Sequence, residues 1–472
     1  MFVNTISPIA ADSPQPVGQD FMFVVSNSSA VANQTRVKFI AQIHVASLPP
    51  NPNTTNNLVG TFKTTPNSAG VGMFNVRNVI ENYVKADNMA ANDSKYKLNP
   101  TTDETPHPLH LIDNYSVSTN ICRWLTIRFS VEYLDTDPNS ATYNKVAEDI
   151  TTREDSALYF YANGYLKYSD ILYRSGANFS YDMSSFFLYD NTKKFLTNAP
   201  TTQYANLEDY GTVAFIPDMY PLRKIDKVYA LVQDNTGVDV VSMFSSFTSV
   251  YGAYDNKGSY IGHAICYLGC FPGNLQNRGN VTFDAAVANG SMYGGNIRIV
   301  ARDASGNDIS ETITININCP DRLGYEPIRL CWLNQWGAWD YYTFTKKSVK
   351  TISTQGSTYT QLEGTWNESL YKVDNFKGGK KSFRVNATEK IKMNTDFVRD
   401  IDNVMFEELT NSPEVYLLEG FQTDPANSLL NNYITPVRLS SSSFTKKTIG
   451  NDQLIQYTFE IEKTKTLRTQ AI

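Results

Sequence analysis

In Leu125-Thr126-Ile127-Arg128-Phe129-Ser130-Val131-Glu132-Tyr133 every odd position is apolar and every even one polar. A side-chain period of two belongs to an extended chain, whose successive side chains point to opposite faces, so this run reads as a strand with one face on a core. One-sided burial of this kind is typical of antiparallel sheets. Val37 to Val45 repeats the pattern, with Val37, Phe39, Ala41, Ile43 and Val45 on one face and Ile40 as the exception. Further on, 296 to 301 and 309 to 318 alternate around Asp303-Ala304-Ser305-Gly306-Asn307-Asp308, and 436 to 439 with 455 to 461 flank Ile449-Gly450-Asn451-Asp452. Each pair predicts a hairpin.

Helical spacing is rare and local. Val76, Val79, Ile80, Tyr83 and Val84 follow a three-and-four rhythm behind Asn75, and Phe397, Ile401, Val404, Met405 and Leu409 do so behind Asn394, Thr395 and Asp396. Both predict short amphipathic helices packed on a sheet, and 190 to 196 is a third candidate. The expected fold class is therefore all-β with minor α: a multi-domain antiparallel β-sandwich, Ig-like or jelly-roll-like, with a few short helices. At 472 residues the chain exceeds what one core usually organises. The charged, apolar-poor stretch 135 to 155 and the Pro320/Gly324 interruption at 319 to 326 suggest boundaries, giving an N-terminal β-sandwich with long loops over 1–140, a central β domain over 141–325 and a C-terminal β domain with one packed helix over 326–472.

Arg329 to Phe344 reads RLCWLNQWGAWDYYTF and holds three of the five tryptophans. Clustered aromatics mark a packing centre or a contact surface. Leu330, Trp332 and Asn334 share one strand face and Cys331, Leu333 and Gln335 the other, so the window should begin as a strand buried on both sides and break at Gly337. Trp336, Trp339, Tyr342 and Phe344 follow, placed to pack over a domain junction at the start of the C-terminal domain.

Tests for chemistry assign no catalytic, cofactor-binding or metal-ligating residue. His107 and His110 lie three apart, but Pro106 and Pro108 argue against a shared helix and for two exposed loop histidines. His263, Cys266 and Cys270 sit in an apolar, strand-like run where Cys behaves as a small hydrophobe, and Cys319 and Cys331 miss zinc-ribbon spacing. The five cysteines are few and odd in number, which predicts free, buried thiols rather than a disulfide framework. Gly378-Gly379-Lys380-Lys381-Ser382 lacks the phosphate-loop pattern and reads as a tight turn, Gly70-Val71-Gly72 lacks the third glycine of a dinucleotide fingerprint, and the Asp303 to Asp308 loop has its glycine misplaced for an EF-hand. Asn-x-Thr sequons such as Asn280-Val281-Thr282 are a by-product of an Asn/Thr-rich composition. The net charge of −6, with isolated lysine pairs where a phosphate-binding surface would need Lys/Arg clusters, argues against nucleic acid as main ligand. Neither a secretory signal nor a run of about 18 apolar residues is visible, so a protein made in a cytoplasm without membrane insertion is expected.

Four segments resemble segments of virion proteins from tailed bacteriophages, including crAss-like and other large phages: Gly72 to Val84, Phe195 to Pro200 with Leu207 to Phe215, Ile328 to Phe344, and Ser412 to Leu417. The resemblance implies a β-sandwich structural protein of the tail, neck or baseplate region, assembled in the host cytoplasm into a homo-oligomeric ring that docks to other virion proteins. It implies no active-site residues. Two other classes stay open: a receptor- or glycan-binding tail adhesin, in which exposed Trp and Tyr would stack on sugars, and a tail-associated hydrolase. The long loops 48 to 72 and 86 to 117 are the first expected interface.

Overall fold

The computed structural model describes residues 3–6, 15–47, 50–90, 107–112, 115–118, 120–167, 172–174, 178–180, 184–217, 225–246, 265–276, 278–320, 324–365, 369–373, 375–419, 434–441, 443–447, 454–464 and 467–468. The protein is all-β, with several mostly antiparallel sheets and a few short helices. It divides into two compact units: Met1–Cys319 with Leu333–Asp340 and Thr423–Ala426, and Pro320–Trp332 with Tyr341–Gln422 and Asn427–Ile472.

The first unit contains a sandwich. Its smaller sheet orders Val3–Ile6, Met22–Ser26 and Val71–Asn75; its larger one orders Gln15–Pro16, Tyr159–Ala162, Cys122–Leu134, Thr35–Ala46 and Leu58–Thr64. The alternation of Leu125 to Val131 becomes geometry here. Leu125, Ile127, Phe129 and Val131 join Phe39, Ala41, Ile43 and Val45 from the neighbouring strand and Phe23, Val25 and Phe74 from the facing sheet in one buried core. Each large side chain so buried contributes about 1.5–3 kcal/mol. Phe23 meets Tyr159 edge to face at 5.7 Å and Phe21 meets Tyr161 at 6.0 Å, so the two sheets interlock through ring geometry as well as area. The predicted helix after Asn75 is a single α-turn, Arg77–Ile80, continued by the 3-10 turn Glu81–Tyr83; Val76, Ile80 and Val84 close the sandwich core.

Residues 135 to 155, expected to be a linker, are instead half of a hairpin: Val146–Asp155 pairs antiparallel with Cys122–Leu134. The segment lacks large apolar residues because it is an exposed edge, not because it is unstructured. The remainder of the first unit carries a five-stranded sheet ordered Thr202–Ala205, Ile313–Ile317, Asn296–Asp303, Ile225–Gln233 and Asp239–Ser246, and a four-stranded one ordered Phe187–Leu188, Thr212–Pro217, Cys266–Gly269 and Tyr115–Val117. The hairpin around Asp303 to Asp308 is present, with Asn296 opposite Asn316. Three short outer pairings are parallel, departing from a purely antiparallel pattern. The candidate at 190 to 196 forms turns rather than a helix. Helices that periodicity did not mark include Val281–Ala288, whose N-cap Asn280 accepts from the backbone N–H groups of Thr282 and Phe283.

The second unit is built on an eight-stranded sheet: Trp339–Phe344, Ile328–Leu333, Val415–Leu418, Ile434–Leu439, Thr458–Lys463, Gly379–Asn394 and Val349–Gln361 in order, with Leu467–Arg468 also on Gly379–Asn394. The closing hairpin pairs as predicted, with Val437 opposite Lys463, while its turn at 449 to 452 falls outside the described residues. The second predicted helix starts later than its spacing suggested, as a 3-10 turn over Asp400–Asp402 and then Asn403–Asn411. Phe397 and Ile401 are exposed, and Phe406 with Met405 and Leu409 supplies the buried face. Phe406 packs against Tyr342 at 5.0 Å and Phe459 at 5.6 Å, so tertiary ring packing sets which turn becomes helical.

The aromatic window is two strands around a tight turn. Asn334 Oδ1 accepts from the N–H groups of Trp336 and Ala338 at 3.0 Å each, and Gly337 sits at φ +77°. The tip, Leu333–Asp340, belongs to the first unit and the flanking strand segments to the second.

Candidate interaction surface

Two questions decide what the chain can do: whether its polar and aromatic clusters are open to a ligand, and what its surface leaves uncovered.

The window is closed. Trp332, Trp336 and Trp339 are all buried. Trp336 stacks at a tilt on Phe186 with centroids 4.4 Å apart and donates Nε1–H to Asn198 Oδ1; Trp339 donates its Nε1–H to the Asp87 carbonyl at 2.9 Å. These rings offer no platform for a sugar. Asp340 is buried beside them, accepting from the Thr197 hydroxyl at 2.5 Å, and Asn334 Nδ2 donates to the Leu196 carbonyl at 2.9 Å. Burial pushes the Asp340 carboxyl up to about 6, with the Thr197 bond pulling the other way. The group pins the window tip to residues 196–198.

Histidine positions differ from the expected exposed pair. His110 is buried in the 3-10 turn Leu109–Leu111, edge-on to Trp339 at 4.9 Å. His107 pairs through its backbone with Ala90, and His263 lies outside the described residues. Cys266 and Cys270 are buried in or beside a core strand, and burial pushes the Cys266 thiol up. Cys331 is buried and Cys319 exposed. The Asp303 carboxylate accepts from the N–H groups of Ser305 and Asn307, closing its own hairpin turn. Among the described residues no group of three His, Cys, Asp or Glu is placed to hold a metal. His44, on the outer face of the large sandwich sheet, is buried, and among the described residues neither ring nitrogen has a hydrogen-bond partner. Burial, then the nearby Arg128 charge, lowers its pKa.

The uncovered surface lies on a hairpin arm in the second unit. Val349–Gln361 and Gly379–Asn394 pair in register from Val349 opposite Lys392 to Gln361 opposite Gly379, with one slip at Ser357/Thr358. Val, Thr, Ile and Tyr favour the extended chain here, though no apolar face is buried. At about 3.3 Å per residue the ribbon runs roughly 40 Å. Other strands flank only its base: Thr458–Lys463 reaches 390 to 394 and Leu467–Arg468 reaches 386 and 387. Val349–Gln361 ends its sheet, so among the described strands one whole edge is unpaired, without proline and with Lys350 as its only charge. Long uncharged edges are templates for pairing unless covered.

The distal arm also exposes its large apolar groups. Leu362, Leu370, Tyr371, Val373, Phe376 and Phe383 are between 51% and 73% exposed. The tip nonetheless has a built shape: the Thr365 hydroxyl donates to the Leu370 carbonyl, the Tyr371 hydroxyl to the Glu363 carbonyl, and Lys381 Nζ to the Phe376 carbonyl. Gly378 and Gly379, both at positive φ, form the turn expected of that glycine pair as the chain re-enters the ribbon. The six groups expose on the order of 600 Å² of apolar side chain. Summed over the arm, that area approaches the about 800 Å² per partner of a stable interface. The apolar residues of the arm show no strand alternation, so the sequence points first to the loops 48 to 72 and 86 to 117 instead. Of those, Leu58–Thr64 is a paired strand and 91–106 falls outside the described residues. The cluster of six large apolar residues between 362 and 376, without strand alternation, was the available signal.

A second exposed surface lies on the hairpin formed by 135 to 155. Its turn is closed by Asp135, which accepts from the Thr142 hydroxyl and the Asp137 N–H; hydrogen bonds from Ser140 and then Thr142 hold its carboxyl below the usual range. Between Glu154 opposite Phe129 and Asp149 opposite Val131 the strand bulges outward. Val146 and Ile150 are 62% and 63% exposed.

No protein-family model and no curated protein sequence matches this chain.

Proposed function

We propose that this chain is a structural virion protein of a tailed phage, which self-associates into a homo-oligomeric ring in the tail, neck or baseplate region and docks there to other virion proteins. The observation that carries this reading is the arm: an ordered ribbon with apolar side chains and a full strand edge exposed is stable in water chiefly when another molecule covers it. The four segments that resemble phage virion proteins support it in a specific way, because they belong to the scaffold. Residues 196–198 grip the window tip through Asn334, Trp336 and Asp340, and Val415 to Leu418 pairs with Arg329 to Trp332. Gly72 to Val84 supplies a strand and helical turn to the sandwich core. Under this reading the scaffold is what related ring proteins share and the arm adapts to its neighbour.

Mass photometry and cryo-EM of the purified chain, with antibody labelling of purified particles, test the proposal. Closed rings in solution and label on the tail or neck are expected. A chain that stays monomeric at tens of micromolar and is absent from particles overturns it.

A further inference from the structure

We infer that the distal arm of one copy seats on the acidic hairpin 135 to 155 of a neighbouring copy, which rests on the self-assembly reading above. Charge complementarity selects this occupant. Residues 356 to 385 carry five cations (Lys372, Lys377, Lys380, Lys381, Arg384) against Glu363, Glu368 and Asp374, a net +2 in a chain of net −6. Residues 135 to 155 carry six carboxylates against Lys145 and Arg153, a net −4. Lys372, Lys380 and Arg384 are exposed and, among the described residues, make no ion pair. On the hairpin, Arg153 takes Glu148 and Arg128 takes Asp155, which leaves Asp149 and Glu154 without a cation among the described residues.

Apolar chemistry matches as well. The arm presents Leu370, Tyr371, Val373 and Phe376 among its cations, and the hairpin presents Val146 and Ile150 among its carboxylates. Interfaces of this kind gain steering and orientation from the charges and affinity from the apolar contacts. The apolar area on the arm is close to one partner's share of a stable interface, so one such contact per copy is enough. Because arm and hairpin are different surfaces, the contact is head-to-tail, and repetition of it closes into a ring when the rotation between copies divides a full turn.

The test is a charge swap on the full chain, read by mass photometry and analytical ultracentrifugation at low and high salt. Reversing the arm (Lys372→Glu, Lys380→Glu, Arg384→Glu) or the hairpin (Asp149→Lys, Glu154→Lys) is expected to weaken self-association at least tenfold with an unchanged circular dichroism spectrum. Mixing the two reversed chains sets each reversed surface against its complement, so an alternating oligomer is expected from the mixture, and carrying all five changes in one chain is likewise expected to restore the oligomer. A second arm of the test needs no reversed charges: in a Cys319→Ser background, which removes the exposed native thiol, Lys380→Cys and Asp149→Cys copies oxidised together should form the mixed disulfide, and its absence would count against the contact. If both reversed chains assemble like the wild type, or the five-fold variant stays dissociated, this docking is wrong while self-assembly stands. If the wild type never assembles, the ring reading itself falls with it.

Discussion

Gly337→Ala isolates the close approach that builds the window. Gly337 lies at φ +77°, and a Cβ there would stand 2.1 Å from the Asn163 carbonyl oxygen and 2.8 Å from its carbon. The approach is mutual, since Gly164, at φ +146°, would place a Cβ 2.7 Å from the Gln335 carbonyl oxygen. The Tyr165 N–H donates to that same carbonyl at 2.8 Å. An alanine in the left-handed region costs about 1–2 kcal/mol. Carbon contacts relax only at about 3.5 Å, so the two turns must part by more than 1 Å, at an overpacking cost of about 1–3 kcal/mol. Losing the Tyr165 hydrogen bond adds about 1 kcal/mol. The total is about 3–6 kcal/mol, and at about 2 °C per kcal/mol for a unit of this size the melting temperature should fall by about 6–12 °C. Gly306→Ala supplies the control. It has the same left-handed backbone, at φ +84°, with no atom within 4 Å of the added Cβ, so it should lose only about 2–4 °C. Thermal unfolding followed by tryptophan fluorescence reads both, because Trp336 flanks the turn. Equal losses in the two variants would refute the argument, since they would leave nothing for the backbone contact to explain.

Three further outcomes are expected. Asp340→Asn should be more stable than the wild type at pH 7, by on the order of 2 kcal/mol, and should flatten the wild type's pH dependence: a buried carboxyl raised to about 6 holds its proton more tightly in the fold than in the unfolded chain, so its contribution is intact below about pH 4 and is lost as pH rises through 6, where the buried group ionises, which denaturant titrations across that window would detect. His44→Leu should be at least as stable as the wild type at pH 7, because two unpartnered ring nitrogens are removed from a buried site; with its pKa lowered in the fold, the wild type alone should lose a component of stability as pH falls below about 6.5, and a destabilised leucine variant would show that the imidazole is partnered after all. Under native conditions a maleimide should label Cys319 and leave Cys122, Cys266, Cys270 and Cys331 unmodified until the chain is unfolded, a difference that mass spectrometry counts directly.

How far the fold could be read depended on whether a signal was local. Leu125 to Tyr133 and Val37 to Val45 announced their strands because a period of two leaves no other way to bury one face. The Asp303 turn was visible through its own residues, and Gly337 marked the break in the window. The helix near 400 was misplaced by local spacing: Phe397 and Ile401 fit the rhythm, yet the buried partner of Tyr342 and Phe459 is Phe406, and that preference arises only once distant strands are adjacent. His110 looked like a loop histidine for the same reason, as the ring that covers it, Trp339, is 229 positions further along the chain. The hairpin at 135 to 155 was mistaken for a linker because an exposed edge strand and a linker share a composition.

By itself, the sequence determined the class of the fold, through side-chain alternation, and marked the tryptophan window as a centre of packing or contact, through its density of aromatic rings. Only the tertiary structure decided which strands neighbour one another, that Leu333–Asp340 is pinned by residues 196–198, and that the described residues of the arm, Leu362, Leu370, Tyr371, Val373, Phe376 and Phe383 among them, stand uncovered. The physical reason is one of range. A strand's two faces are written in adjacent residues, whereas burial is a property of everything that comes to lie around them.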